Sequence, residues 1–248
     1  MTRRRFHAPP SAFSLHRGSV TLATDEARYL REVLRLKVGD EVYVFDGAGK
    51  EFRSQIEESR RDTATLKVID EVGPARPESP LQLTLAVALL KGEKFDLVVQ
   101  KATELGATRI VPVVTKLADI RLRDTSDASK RVSRWQRIAL EASKQSGRAV
   151  VPEVKTPVTF ESLIRETASS SAIMFSERYG QPLAEVRVES PSSLTALVGS
   201  EGGWTDQEIT VARESGWRII TLGGRTLRAE TAAITVAALL QHLFGDLR

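Results

Sequence analysis

Beyond residue 80 the chain alternates short apolar runs with longer amphipathic ones, and few folds accommodate that pattern. "LQLTLAVALL", "RIVPVV", "SAIMFS", "LTALVG" and "RIITLG" read as buried strands. Helical stretches lie between them. "EKFDLVVQKATELG" places Phe95, Val98, Val99, Ala102 and Leu105 on one face and stops at Gly106; "ASKRVSRWQRIALEASKQSG" ends in Gly147. Strands apolar on both sides and separated by helices form a parallel sheet covered on both faces. An α/β domain is expected over residues 81–248.

Upstream the period is different. Pro74, Pro77 and Pro80 fall together in "EVGPARPESP", which forbids a helix and predicts an extended linker over residues 73–80. Before it, "DEARYLREVLRL" predicts one amphipathic helix with Tyr29, Val33 and Leu36 near one face. "DEVYVFDGAGKEF" then alternates through Val42 and Val44, turns at Gly47–Gly49 and continues into Phe52; "TATLKVID" repeats the alternation with Leu66 and Val68. Short alternating strands with glycine turns predict a small β-barrel domain over residues 1–72.

The longest apolar runs fall short of the ~18 residues that span a bilayer, and no apolar stretch follows the basic "MTRRRFHAPP", so neither a membrane span nor a secretory signal is expected. With no cysteine among 248 residues, disulfides, thiolate zinc sites and cysteine nucleophiles are excluded, which fits a cytoplasmic protein without a metal. Charge is unevenly spread. Residues 1–37 hold eight Lys/Arg against three Asp/Glu, and residues 116–148 hold nine against four, whereas residues 38–72 hold five against nine. Two separated basic segments suit either a polyanion-binding surface or two solvated faces. On the first reading Arg3, Arg4 and Arg5 lead one RNA contact. In the second, Lys130, Arg131, Arg134 and Arg137 share a helix face opposite Trp135, which reads as core.

The sheet's carboxyl edge holds the candidate site. "LVGSEGGWTDQEI" joins a strand to a helix whose capping box, Thr205 with Glu208, predicts a start at Asp206 and an end by Gly216. "WRIITLGG" leads through "RTLRAET" into the last helix. Two strands of one sheet therefore end in glycine loops at the edge where open α/β sheets bind ligands. Neither G-x-x-x-x-G-K-[ST] nor an early G-x-G-x-x-G occurs, and Glu201 would repel a phosphate. A cationic or zwitterionic ligand with a flat ring suits the loop better, and S-adenosylmethionine meets that description; simple tight turns are the alternative. The last helix, apolar on every side from Ala232 to Leu240 apart from Thr235, must be enclosed by its own domain or by a second subunit.

"KGEKFDLVVQKATELGATRIVPVVT", "RWQRIALEASKQSGR", "LVGSEGGWTDQEI" and "LGGRTLRAET" resemble, in order, the motifs of the RsmE family, bacterial methyltransferases acting on uracil N3 of 16S ribosomal RNA. "RRRF" and "YLREVLRLKVGDEVYVFDGAG" resemble its leading domain. The resemblance implies a SPOUT-type α/β fold with a C-terminal trefoil knot, preceded by a PUA-like RNA-binding β-barrel. It also implies a homodimer packed through the knot region and a substrate in 16S ribosomal RNA of the small ribosomal subunit.

S-adenosylmethionine would be held by Phe175, Ser176 and Glu177, by Leu197, Val198, Gly199, Glu201, Gly202 and Gly203, and by Leu222, Gly223, Leu227, Arg228 and Thr231. Arg225 and Arg228 would meet the uracil oxygens or a phosphate. Glu230 would act as base, orient Arg228, or simply favour the helix N-terminus. The chain departs from the family pattern at Ser200, where proline is usual, and at "KLADIRLRD", where Arg121 or Arg123 would replace an acid-Arg-Ser cluster as an RNA contact. A non-catalytic RNA-binding assembly factor on the same scaffold is the alternative function; it would keep the basic faces and lose cofactor affinity.

Overall fold

The computed structural model describes residues 3–14, 16–120, 124–167, 171–186 and 191–247. The chain forms two compact units, Met1–Glu78 with Ser143–Val151, and Ser79–Ala142 with Pro152–Arg248. The proline-rich stretch is not a free tether. Ala75 N–H donates to Glu51 (3.1 Å), Arg76 N–H donates to Gly147 O (3.0 Å), and Glu78 pairs with Arg148 at 2.6 Å, all within the first unit.

In the first unit β1 (Arg5–His7), β2 (Phe13–Ser14), β3 (Ser19–Leu22), β4 (Glu41–Phe45), β5 (Glu51–Ser59) and β6 (Ala64–Val72) form one sheet in the order β1-β4-β5-β6-β3-β2. Only the β1–β4 pair is parallel. Alternation sets the core: Val42, Val44, Ile56, Ala64 and Leu66 point inward and pack with Phe6, Val20 and Leu22. The helix that covers them corrects the expected face. After α1 (Thr24–Arg28) the chain winds into a π-helical turn, Tyr29–Val33, in which Leu34 N–H donates to Tyr29 O five residues back (3.0 Å). The inward stripe runs Ala27, Leu30 and Leu34, three and four residues apart, one position on from the expected Tyr29 and Val33. Ala27, Leu30 and Leu36 are buried, while Tyr29 is exposed and Val33 is 63% exposed.

Arg5 requires a correction too. Expected to meet RNA, it is buried against Glu51, whose side chain is 0% exposed, at 3.0 Å. Its remaining donors reach the carbonyls of Ser143, Lys144 and Arg148. A guanidinium with every donor engaged inside the protein is not available to a phosphate. Arg3 also donates to Glu51 (3.0 Å) and to Gly73 O (2.7 Å), and Arg4 is exposed.

The second unit contains β7 (Gln82–Ala88), α2 (Lys94–Glu104), β8 (Ala107–Val114), the start of α3 (Thr125–Ser146), β9 (Glu153–Val154), β10 (Val158–Thr159) and α4 (Phe160–Glu166). Then follow β11 (Ala172–Phe175), β12 (Gln181–Pro182), β13 (Ser193–Val198), α5 (Asp206–Glu214), β14 (Arg218–Thr221) and α6 (Ala229–Phe244). The sheet runs β10-β8-β7-β13-β11-β14-β12, with β9 also on β8, and every pairing is parallel. On one face Ala86, Val111, Met174, Leu197 and Ile219 pack beneath α4 and α5. The alternate residues Leu85, Ile110, Ile173, Ala196 and Ile220 are buried on the other face, where α6 packs on β7, β13 and α2.

The Thr205 capping box is present. The Thr205 hydroxyl accepts from Glu208 N–H, and Glu208 accepts from Thr205 N–H at 2.9 Å. Thr205→Ala should lower stability by about 1 kcal/mol, read as a lower urea midpoint with an unchanged slope.

Candidate functional site

Because every strand of the second sheet runs the same way, the loops after β11, β13 and β14 emerge at one edge. They enclose a cavity of about 470 Å³. The loop after β11 contributes Phe175, Ser176 and Glu177; the loop after β13 contributes Val198 to Trp204; the segment after β14 contributes Thr221 to Arg228, and Ala229, Ala232 and Val236 of α6 close the base.

The β13 loop is shaped by what lies behind it. Gly199 rests on the Trp204 indole, whose Nε1–H donates to Phe175 O (2.8 Å) and so ties two loops together. A Cβ at Gly202 would lie 2.7 Å from Leu117 O. Gly203 has φ +68°, in the left-handed region, and a Cβ there would lie 2.6 Å from Glu177 Oε1. Gly203 N–H donates back to Ser200 O (3.0 Å), closing the turn. Glycine is required here by the protein's own backbone and packing.

The charge that made a phosphate implausible is partly compensated. Lys94, in the first turn of α2, donates to Glu201 Oε1 at 2.5 Å and lies 3.7 Å from Glu230 Oε2. Burial pushes the Glu201 carboxyl up, but the Lys94 hydrogen bond and a backbone hydrogen bond more than offset this and hold it below its ordinary value. The same hydrogen bond holds the Lys94 ammonium above its ordinary value. Glu177, Arg225 and Arg228 complete the charged lining.

Most residues picked out from the sequence for the cofactor meet at this cavity. Leu197 does not; it faces the sheet's core. Thr231 is exposed on α6 away from the lining, and Glu230 also lies outside the lining, its Oε2 buried with no hydrogen-bond partner. Arg225 and Arg228 line the cavity. Ser200, Gly224 and Thr226, which lie in the predicted loops without being singled out for the cofactor, also line it, whereas sequence reasoning passed over Trp204, Thr221 and the α6 residues Ala229, Ala232 and Val236. Trp204, next to Gly203, could have been found from the glycine beside a large aromatic. The α6 residues had no signal, because helix periodicity marks them simply as apolar.

Of the basic helix face, Arg131 pairs with Asp127 (3.2 Å) and Arg134 with Asp96, and Trp135 is buried, donating to Asp96 at 3.0 Å. Arg121 and Arg123 lie outside the described residues. Among the described residues no three His, Asp or Glu side chains converge to hold a metal ion, and no helix is long and apolar enough to cross a membrane.

The family model for an RNA methyltransferase domain matches residues 77–241, and that for an RNA methyltransferase PUA domain matches residues 22–69. The chain is 36% identical over 231 residues to ribosomal RNA small subunit methyltransferase E of Synechocystis, covering 91% of this chain and 74% of that protein. It superposes on ribosomal RNA small subunit methyltransferase E of Neisseria gonorrhoeae, solved bound to S-adenosylmethionine, with a TM-score of 0.88 and 34% identity over 100% of both chains. A Legionella pneumophila protein, also solved with bound S-adenosylmethionine, gives a TM-score of 0.90 and 30% identity over 100% of both chains.

Proposed function

The chain belongs to the ribosomal RNA small subunit methyltransferase E family, and from this we propose that its second unit transfers a methyl group to N3 of one uridine in 16S ribosomal RNA. It is an S-adenosylmethionine-dependent RNA methyltransferase with a SPOUT-type sheet and a PUA-like first unit. The observation that carries the site assignment is the convergence of three sheet-edge loops on one cavity.

The residues present fit such a donor. Phe175, Leu222, Leu227 and Val236 offer apolar surface to a flat ring, the bare main chain around Gly223 and Gly224 leaves room for close approach, and Glu177 and Glu201 suit a cation. When bound, S-adenosylmethionine supplies an electrophilic methyl on a sulfonium. Uracil N3 carries a proton and is a poor nucleophile until it leaves. Arg225 and Arg228 line the cavity and would hold the flanking uracil oxygens, where the negative charge collects as that proton departs. The wall itself orients donor and acceptor, which supplies much of the rate in an in-line displacement.

The knotted threading of the C-terminal segment belongs to the same reading. It rests on the family membership, and α6 returns from β14 to pack on β13, β7 and α2. A second copy of the chain is the proposed cover for the half-buried Ile234, Ala238 and Leu239 and the exposed Leu243. RNA would be gripped by phosphate contacts from Arg4 and from Arg131 and Arg134.

The test is mass spectrometry of small-subunit ribosomal RNA from a deletion strain. One uridine should lack a base methyl, restored by the wild-type gene. Arg228→Ala should restore little, its kcat lowered about 10²- to 10³-fold. A full complement of base methyls in the deletion strain, or a missing ribose methyl instead, overturns the reading.

A further inference from the structure

Three chain segments distant in sequence meet at one ammonium. Lys94 is in the first turn of α2, Glu201 is in the cofactor loop, and Glu230 is in the first turn of α6. The Lys94 ammonium lies 2.5 Å from Glu201 and 3.7 Å from Glu230. α2 and α6 pack on each other and on the sheet, so Lys94 and Glu230 sit on a fixed base. Glu201 is on the loop itself, where three of the five residues from Gly199 to Gly203 are glycine; the loop is held through Trp204 and by the approach of Gly202 to Leu117, and Lys94 adds the tie at Glu201. The Glu230 side chain is only 12% exposed, and its Oε2 is buried without a hydrogen-bond partner. A buried carboxylate oxygen in that state is stabilised chiefly by a nearby cation, and among the described residues Lys94 is the one paired with it, at 3.7 Å.

Resting on the donor-site reading above, we propose that Lys94 is a positioning residue that clamps the cofactor loop through Glu201 against the start of α6, with Glu230 anchoring the ammonium from behind. Glu230 then has a purpose that requires no access to the substrate, which agrees with its place outside the cavity lining. The clamp acts on the donor before chemistry. It fixes the wall that the donor must contact, so its loss raises the concentration of donor needed and leaves the saturated rate nearly unchanged.

Titration calorimetry with S-adenosylmethionine, and separately with its demethylated product, tests this alongside steady-state methylation. Lys94→Met, Glu201→Gln and Glu230→Gln should each weaken both ligands about tenfold and raise the donor KM to match, and Lys94→Met, outside the cavity lining, should leave kcat within about twofold. Lys94→Arg should keep donor affinity within about threefold of wild type. Lys94→Met with Glu201→Gln should be no weaker than either single variant, as for two ends of one contact. Should Lys94→Met unfold, Glu201→Gln, on a partly exposed loop side chain, carries the same comparison.

Unchanged affinity in all three variants overturns the clamp, as do additive losses in the double variant. A Glu230→Gln enzyme that binds donor normally but has lost its kcat overturns it as well, and assigns that carboxylate to proton transfer. Wild-type protein that binds no donor would instead remove the functional reading itself.

Discussion

Gly203→Val should weaken S-adenosylmethionine binding by more than about a hundredfold, equivalent to ~3 kcal/mol, while RNA affinity stays within about twofold. Two effects act together. Valine is strongly disfavoured at φ +68°, a conformation that costs a non-glycine residue about 1–3 kcal/mol and a β-branched one most of all. Its Cβ would also sit 2.6 Å from Glu177 Oε1, displacing a carboxylate from the opposite wall of the cavity. The backbone strain is relieved only by giving up the turn that Gly203 N–H closes onto Ser200 O, and the clash by swinging the Glu177 carboxylate out of its place in the wall. Calorimetry with donor and filter binding with small-subunit RNA would separate the two functions. Equal losses in both would mean that cofactor loop and RNA contact are not distinct.

Arg5→Met should destabilise the protein by about 3–5 kcal/mol, the range for breaking a buried pair by removing one partner. Glu51 would be left fully buried with Arg3 as its main cation, and the carbonyls of Ser143, Lys144 and Arg148 would each lose the Arg5 donor, Ser143 O keeping Arg148 N–H. Thermal unfolding should show a large drop in midpoint, with the salt dependence of RNA binding at permissive temperature unchanged. A stable variant with a reduced salt slope would return Arg5 to the RNA interface.

These two positions also mark where sequence reasoning succeeds and where it fails. Gly203 was legible because three local signals agree there: an apolar strand, a glycine cluster, and the Thr205–Glu208 capping box that fixes the next helix start. The parallel sheet was legible for the same reason, since runs apolar on both faces have few other uses. Arg5 was not. A three-arginine run looks the same in sequence whether it faces water or Glu51, and the acid that decides the matter is 46 residues away. The helix beginning at Thr24 failed differently. Ala27, Leu30 and Leu34 keep the helical period, but Tyr29 and Val33, one position earlier, offer the same period with apolar residues, and only the packed core shows which stripe turns inward. Glu230 was seen as a candidate, but its relation to Lys94 depends on α2 and α6 being packed together, a contact between segments 136 positions apart that no local pattern encodes.

The segment Ser143–Val151 has a consequence for how the molecule comes into being. It completes the first unit: Gly147 O accepts from Arg76 N–H, Arg148 pairs with Glu78, and Val151 N–H donates to Gly47 O. A polypeptide leaving the exit tunnel amino end first therefore has its opening β-rich portion out long before the piece that finishes it. That portion must wait, incompletely closed, while the opening strands of the second sheet are made, so the two units mature interleaved in time, not one after the other.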